Sequence, residues 1–488
     1  MKDRIINLIK NNNFLSLTSN LSVAVFGFLG FLILVRTLAP EKFGEWVLYI
    51  TAGNFLEMLR FGITRTAIVR FLSGATEDER KKIIGSNWLI VTLVTVFLAL
   101  LLWSVYLLFP ETIKNSGFSL FFIWYPVLSF MNLPFNNAQS ILQADMRFDR
   151  LLWIKSLNVG AFVVFLVINW IFLKLGLMEI LYIHLLINGL TSVVCVVLGW
   201  DGIRYFFRAT KATNRTILNF GKYTTGTLIG SNLLKSSDTF IIGLSAFLGP
   251  AGVAFYSVPL KLTEILEIPL RSFVATAFPR MSKASIENDI EEVKKVYYGY
   301  TGAMIYMLLP VIVIGFIFAE EFVIILGGRE YVETANIFRV FCIYGLFIPL
   351  DKFTGVALDS INRPKKNFFK VMYMALANIL GDSFVVFFLS KTILGISVIT
   401  LLFNQNVLLE QIPGVSSSYT FITTLLFVAI VTIVFTLIGI IAGWYYLRKE
   451  ININLKFVFI QGWFFLNYMV KSVTGKDLLI NPLNTKGN

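Results

Sequence analysis

A helix needs about 20 consecutive apolar residues to cross a bilayer, and this chain supplies such runs again and again. Four of them contain no Asp, Glu, Lys or Arg: Trp88–Phe109, Ile180–Trp200, Thr301–Ala319 and Thr420–Leu447. Others are apolar with isolated charges: Phe14–Leu38, Phe43–Leu72, Phe118–Gln143, Leu151–Leu173, Ile217–Phe247, Gly252–Phe278, Tyr331–Leu358 and Phe368–Leu389. Together they make twelve expected spans. The first follows a short basic, amphipathic start, Met1–Asn13, with no small-residue cleavage site, so it reads as a span and not as a removed signal. Composition agrees: 56% of the 488 residues are hydrophobic, 15% are charged and the mean hydropathy is +0.75. Soluble domains are about 45–50% apolar and 25% charged, and disorder needs low hydrophobicity, so both are excluded.

The net charge of +13 would suggest nucleic acid in a soluble chain. In a membrane protein the positions of the charges decide, and here they follow the alternation of loops. With the N-terminus inside, 26 of the 42 Lys and Arg fall in inside segments and 5 outside. The inside set includes Arg80, Arg147, Arg150, Arg204, Arg208, Lys294, Arg363 and Lys370; the outside set is Lys42, Lys114, Lys174, Arg329 and Lys391. The positive-inside rule therefore predicts that both termini are cytoplasmic and that no nucleic acid is bound. The basic loops Asp201–Arg215 and Asn362–Lys370 read first as topology determinants facing anionic lipid. Lys391–Ser418 is expected outside, with an interfacial segment. Leu455–Val470 is expected on the inner surface, a thirteenth span being the alternative.

The two halves repeat. Asn13-Phe14, Pro40, Gly44, Glu57 and Arg60 are matched, about 206–211 residues later, by Asn219-Phe220, Pro250, Gly252, Glu267 and Arg271. The expected organisation is an amphipathic N-terminus (1–13), two six-helix lobes in parallel repeat (14–205 and 206–447) and a cytoplasmic tail with an interfacial apolar segment (448–488).

The stretch Leu34-Val35-Arg36-Thr37-Leu38-Ala39-Pro40-Glu41-Lys42-Phe43-Gly44 resembles the first hairpin of polysaccharide (O-antigen, Wzx-type) flippases, and Leu59-Arg60-Phe61-Gly62-Ile63 continues the match. These belong to the superfamily of multidrug, oligosaccharidyl-lipid and polysaccharide exporters. The resemblance implies an all-α polytopic protein of about twelve spans around a central cavity. It also implies transport of undecaprenyl-pyrophosphate-linked oligosaccharide across a bacterial cytoplasmic (inner) membrane in polysaccharide or lipopolysaccharide biosynthesis. Lipid-linked oligosaccharide, membrane lipid, the polysaccharide polymerase and chain-length proteins are the partners it implies.

Charges left within the spans need an explanation, because one at the bilayer centre costs about 2.5–3.5 kcal/mol even on the mild insertion scale. Arg36 and Arg70 sit near span ends, where snorkelling accounts for them, and Arg65, Lys222, Asp359 and Asp382 either do the same or lie deep. Glu57 and Arg60 are three apart on one helix, as are Lys235 and Asp238. Lys261, Glu264, Glu267 and Arg271 advance by 3, 3 and 4 residues and fall within about 120° of arc. The bland account is mutual neutralisation between helices. The functional account is a hydrated cavity with surplus positive charge suited to a pyrophosphate, with Arg60, Lys235, Lys261 and Arg271 as head-group ligands. Glu57, Asp238, Glu264, Glu267, Asp351 and Lys352 are then gating or ion-pair residues.

His184, the only histidine, is expected as a hydrogen-bonded core residue, and Cys195 and Cys342 lie in apolar runs. No P-loop, zinc-ligand cluster or nucleophile elbow occurs, so no catalytic residue, metal or cofactor is expected, and transport without chemistry leads. A cation-coupled multidrug exporter and a membrane glycosyl- or phospho-transferase or ligase are the competing readings. The first span lacks Asp and Glu, which counts against the exporter.

Overall fold

The computed structural model describes residues 12–62, 64–72, 74–389 and 415–474. Within them it has seventeen α-helices and no strand. In chain order these are α1 (Asn12–Thr37), α2 (Pro40–Gly62), α3 (Arg65–Leu72), α4 (Glu77–Leu108), α5 (Pro110–Asn115), α6 (Ser119–Met131), α7 (Leu133–Ala144), α8 (Phe148–Ile168) and α9 (Leu177–Val197). The rest are α10 (Lys211–Leu244), α11 (Gly249–Ile286), α12 (Ile290–Ile317), α13 (Ala319–Gly327), α14 (Ala335–Ser360), α15 (Pro364–Phe387), α16 (Val415–Ile451) and α17 (Lys456–Thr474). Of the expected N-terminal segment 1–13 and the expected outside segment 391–418, residues 1–11 and 391–414 lie outside the described residues, and residues 415–418 form the first turn of α16.

Local chemistry sets the helix starts. Glu79 accepts hydrogen bonds from the Thr76 N–H (3.0 Å) and hydroxyl (2.8 Å), and Glu77, Asp78 and Glu79 load the first turn of α4 with negative charge. Thr210 caps α10 by accepting from the Thr213 N–H, and Asp289 caps α12 by accepting from the Glu292 N–H.

Every expected span is helical. Among the described residues, seven helical stretches are long and apolar enough to cross a membrane by length and composition: 77–108, 148–173, 177–197, 290–317, 329–360, 364–387 and 421–451. Four of the other five fall short for identifiable reasons. The second and fourth expected spans are each broken into two helices, α2/α3 and α6/α7. The helices α10 and α11 carry Lys235, Asp238, Lys261, Glu264, Glu267 and Arg271, whereas α1 is a 26-residue helix with no Asp or Glu. Outward faces are apolar in the manner lipid requires, with Leu93, Phe97, Leu100 and Leu107 exposed on α4 and Leu186, Leu190, Val193 and Val197 on α9.

By compactness the chain falls into two units, Met1–Phe255 and Tyr256–Asn488. In the first, α1 packs on α8, α2 on α6 and α10, α3 on α7, and α4 on α6. The helix α10 thus clusters with the first unit, although the repeat counts it as the opening span of the second half. In the second unit α14 and α15 both pack on α16, and α12 packs on α14 and on α17.

The terminal apolar segment is docked on its neighbour. α17 crosses α12 where Gly302 meets Gly462: a Cβ on Gly302 would stand 1.9 Å from the Val458 carbonyl oxygen. Only glycine allows that backbone approach. The Asn454 N–H donates to the Tyr298 hydroxyl, and the Tyr306 hydroxyl donates to the Phe459 carbonyl. α17 is not among the seven long apolar stretches, and its seat is a helix face.

Candidate functional site

Two helix breaks organise the polar interior of the first unit. α2 stops at Gly62 and α3 restarts at Arg65; α6 stops at Met131 and α7 restarts at Leu133. Pro134, in the first turn of α7, has no N–H to continue the α6 ladder. The second break delivers Asn136 beside α2. A cavity of about 460 Å³ opens along these breaks, with Asn54, Glu57, Arg65, Asn136, Gln139 and Ser140 among its lining residues. Interrupted helices in a membrane are tolerated where they line such a polar space.

Glu57 is the hub. Both of its carboxylate oxygens lie 2.7 Å from Arg60 Nη2. The Tyr125 hydroxyl donates to Oε1 (3.1 Å) and Asn136 Nδ2 to Oε2 (3.0 Å). Arg60 Nη1 donates to Thr95 Oγ1 (3.1 Å) and to the Ser129 carbonyl, so the guanidinium ties α2 to α4 and α6. Its plane also lies over the Phe61 ring at 4.7 Å. The Arg60 side chain is fully buried, whereas Glu57 is 21% exposed. The carboxylate therefore faces the cavity, and the arginine stands behind it.

The remaining cations on the first unit are placed differently. Arg65 is exposed at the cavity rim and reaches Gln143 Oε1 at 3.4 Å. On α10, Lys235 is exposed and Asp238 is buried.

On the second unit, the α11 stripe forms two in-helix ion pairs. Lys261 Nζ lies 2.7 Å from Glu264 Oε2, and Arg271 Nη2 lies 2.8 Å from Glu267 Oε2. Leu262, Leu266 and Leu270 bury the neighbouring face, with Leu266 against Gly345 of α14. Arg271 is 69% exposed, the opposite of its sequence counterpart Arg60. The two matched pairs thus share spacing but not environment.

A buried pair that sequence reasoning missed lies at the α14–α15 contact. Lys370 Nζ is 2.6 Å from Asp351 Oδ1 and 2.7 Å from the Asp351 carbonyl, with 3% of the lysine side chain exposed. Lys370 reads in sequence as the last charge of a basic loop; in the structure it is a buried cation on α15. Thr354, which shares a hydrogen bond with the Tyr297 hydroxyl, is close by, and Asp382 is fully buried further along α15. Of its two expected placements, snorkelling or deep, Asp382 takes the deep one. Lys352 is half-buried beside Asp351. Tyr125, Asn136 and Thr95 were also missed; polar residues inside apolar runs were the available signal. His184 sits among the rings of Trp46, Tyr49 and Phe162, and its buried Nδ1 has no hydrogen-bond partner among the described residues. Both cysteines are buried and free. Among the described residues no group of His, Cys, Asp and Glu could hold a metal.

Comparison with known proteins places this geometry. The family model described as polysaccharide biosynthesis protein matches residues 9–285. A Shigella flexneri protein named for O-antigen transport is 26% identical over 358 residues, covering 69% of this chain and 81% of that protein. Among solved structures, an inward-facing multidrug resistance MATE family transporter of the MOP superfamily superposes with a TM-score of 0.68, at 15% identity, over 89% of this chain and 98% of its own. The lipid II flippase MurJ, in an inward closed conformation, superposes with a TM-score of 0.65, at 14% identity, over 96% and 93%. At those identities the two structures establish the fold alone. With the family model covering more than half of its length, this all-helical membrane protein belongs to the polysaccharide biosynthesis protein family.

Proposed function

We propose that the protein is a flippase that moves undecaprenyl-pyrophosphate-linked oligosaccharide repeat units from the cytoplasmic to the outer leaflet by alternating access, without altering them. The observation that carries this reading is the Glu57 hub: a charged, hydrogen-bonded cluster at two helix breaks, opening on a cavity of about 460 Å³ inside a membrane-embedded unit. Intramembrane charge is costly and marks substrate paths by default. The names of the polysaccharide-biosynthesis family and of the O-antigen relative supply the cargo class.

The residue roles follow from exposure. A pyrophosphate needs cationic donors that it can reach. Lys235 and Arg65 on the first unit and Lys261 and Arg271 on the second are the head-group candidates. Arg60 acts through Glu57, holding the carboxylate toward the cavity. Glu264 and Glu267 hold Lys261 and Arg271 until the cargo's phosphates compete for them. Asp238, Asp351 and Lys352 are the proposed ion-pair and gating groups. The proposed setting is a bacterial cytoplasmic membrane, with both termini inside and six-helix lobes over 14–205 and 206–447.

Deleting the gene tests this directly. Complete lipid-linked repeat units should accumulate on the cytoplasmic leaflet while surface polysaccharide disappears, and the wild-type gene should restore export. Accumulation of truncated units, or of units already on the outer leaflet, would favour a transferase or ligase and end the flippase reading.

A further inference from the structure

Three basic segments that look in sequence like separate topology signals meet at one place in the first unit. Arg80 comes from the first turns of α4, Arg150 from the start of α8, and Arg204 from the short 3-10 helix Ile203–Arg208 after α9. All three line one pocket of about 280 Å³. We infer that this pocket binds the phosphate of a lipid head group at the membrane interface.

The charge balance supports an anion. Glu77 and Asp145 also line the pocket, but each is engaged: Asp145 pairs with Arg80, and Glu77 lies 3.5 Å from Lys81 Nζ. Arg150 and Arg204 are in no ion pair among the described residues. Aromatic rings hold them instead, Arg150 over Trp200 at 5.1 Å and Arg204 over Tyr205 at 4.8 Å. Stacking fixes the plane of a guanidinium while leaving its edge donors for a ligand, and two oriented edges suit phosphate oxygens.

The pocket is built on a rigid floor. Gly202 takes φ +70°, and a Cβ there would stand 2.6 Å from Ile84 Cγ2, so the loop presses onto α4. Trp88 Nε1 donates to the carbonyl of the buried Asp201 (2.8 Å), and Asp201 Oδ1 accepts from the Ile203 N–H. The 3-10 helix itself packs along α4.

The surroundings favour a lipid over a soluble phosphate. Trp153, 49% exposed, packs edge-on against Trp200 at 6.1 Å. Val197 is 78% exposed and Phe207 is 94% exposed. Exposed apolar and indole groups beside arginines are the composition of the bilayer interface. The charge asymmetry assigns this end of the spans to the cytoplasm. Two lipids there carry the required chemistry, an anionic phospholipid and a polyprenyl diphosphate. The inference does not depend on transport.

Native mass spectrometry of the full chain in detergent tests it. The protein is titrated separately with phosphatidylglycerol, phosphatidylcholine and undecaprenyl diphosphate. Wild type should retain one lipid that the Arg150→Gln/Arg204→Gln variant loses, with occupancy falling on the order of tenfold or more. Arg204→Gln alone, at an exposed and unpaired side chain, should fold normally and show part of the loss. Loss of phosphatidylglycerol binding would assign the site to bulk anionic lipid, and loss of undecaprenyl diphosphate binding alone would assign it to the cargo class. Unchanged binding of both anionic lipids in the double variant, or phosphatidylcholine held equally well at this site, would overturn the inference.

Discussion

The Glu57–Arg60 pair gives a quantitative test, because its two ends are buried to different degrees. Removing one partner of a buried ion pair costs about 3–5 kcal/mol, mostly through the charge left behind. Glu57→Gln strands the guanidinium, which has no exposed surface, so its cost belongs at the upper end, about 4–5 kcal/mol. Arg60→Met strands a carboxylate that is 21% exposed and keeps the Tyr125 and Asn136 donors, so about 3 kcal/mol is expected. The double variant buries no charge and should be more stable than either single, losing mainly the Ser129 carbonyl's donor. Thermal unfolding of the purified variants, followed by fluorescence size-exclusion, measures all three. Strict additivity in the double variant, or Arg60→Met costing more than Glu57→Gln, would refute the reasoning. Export then reports on role: if Glu57 serves the cavity, the double variant should regain protein level while export stays lost.

In a background lacking Cys195 and Cys342, a cysteine at Ser116 should react with an impermeant thiol reagent from outside and one at Thr213 should not; reversed labelling would sink the proposed orientation. Gly302→Val would drive its side chain into the Val458 carbonyl, and overpacking of about 1–3 kcal/mol should lower the melting temperature unless α17 is a dispensable ornament on α12. Lys370→Met should strand Asp351 and reduce protein level, and Asp351→Asn in the same chain should restore it; failure of that rescue would mean the pair is not coupled. Burial holds the Asp201 carboxyl above the ordinary carboxylate range. The folded state therefore keeps this proton more tightly than the unfolded chain, and stability falls as pH rises from the ordinary value through the raised one. Asp201→Asn should flatten that part of the stability curve.

The helices were legible because membrane spans announce themselves by length and apolarity, local properties of the chain. Breaks were harder to read. Phe43–Leu72 and Phe118–Gln143 each look like one span, yet each folds as two helices, and the sequence marks of the interruptions are single residues such as Gly62 and Pro134. Pro259, Pro269 and Pro279 occur inside α11 without ending it, so proline alone does not identify a break. The polar contacts near the breaks, Tyr125 and Asn136 donating to Glu57, form only once α2 packs against α6 and α7.

The charges show the same limit more sharply. Spacing along a helix correctly joined Glu57 to Arg60, Lys261 to Glu264, and Glu267 to Arg271, since pairs three or four apart share a face whatever surrounds them. It could not say which pair is sealed and which is open, because burial is contributed by other helices. Arg60 is enclosed by Thr95 of α4 and Ser129 of α6, and Arg271 by neither kind of neighbour. Lys370 was misread for the same reason. It follows Arg363, Lys365 and Lys366 in a run that the positive-inside rule assigns to the cytoplasm, and Arg363 and Lys366 do pair with Glu450 at the far end of α16. One turn further along α15, the same run delivers Lys370 against Asp351 beneath Gly443 of α16, where a larger residue would collide with Thr354 and the lysine stem. A single basic stretch thus serves two purposes. Its outer members anchor the helix end, and its last member enters the core as half of a neutral pair.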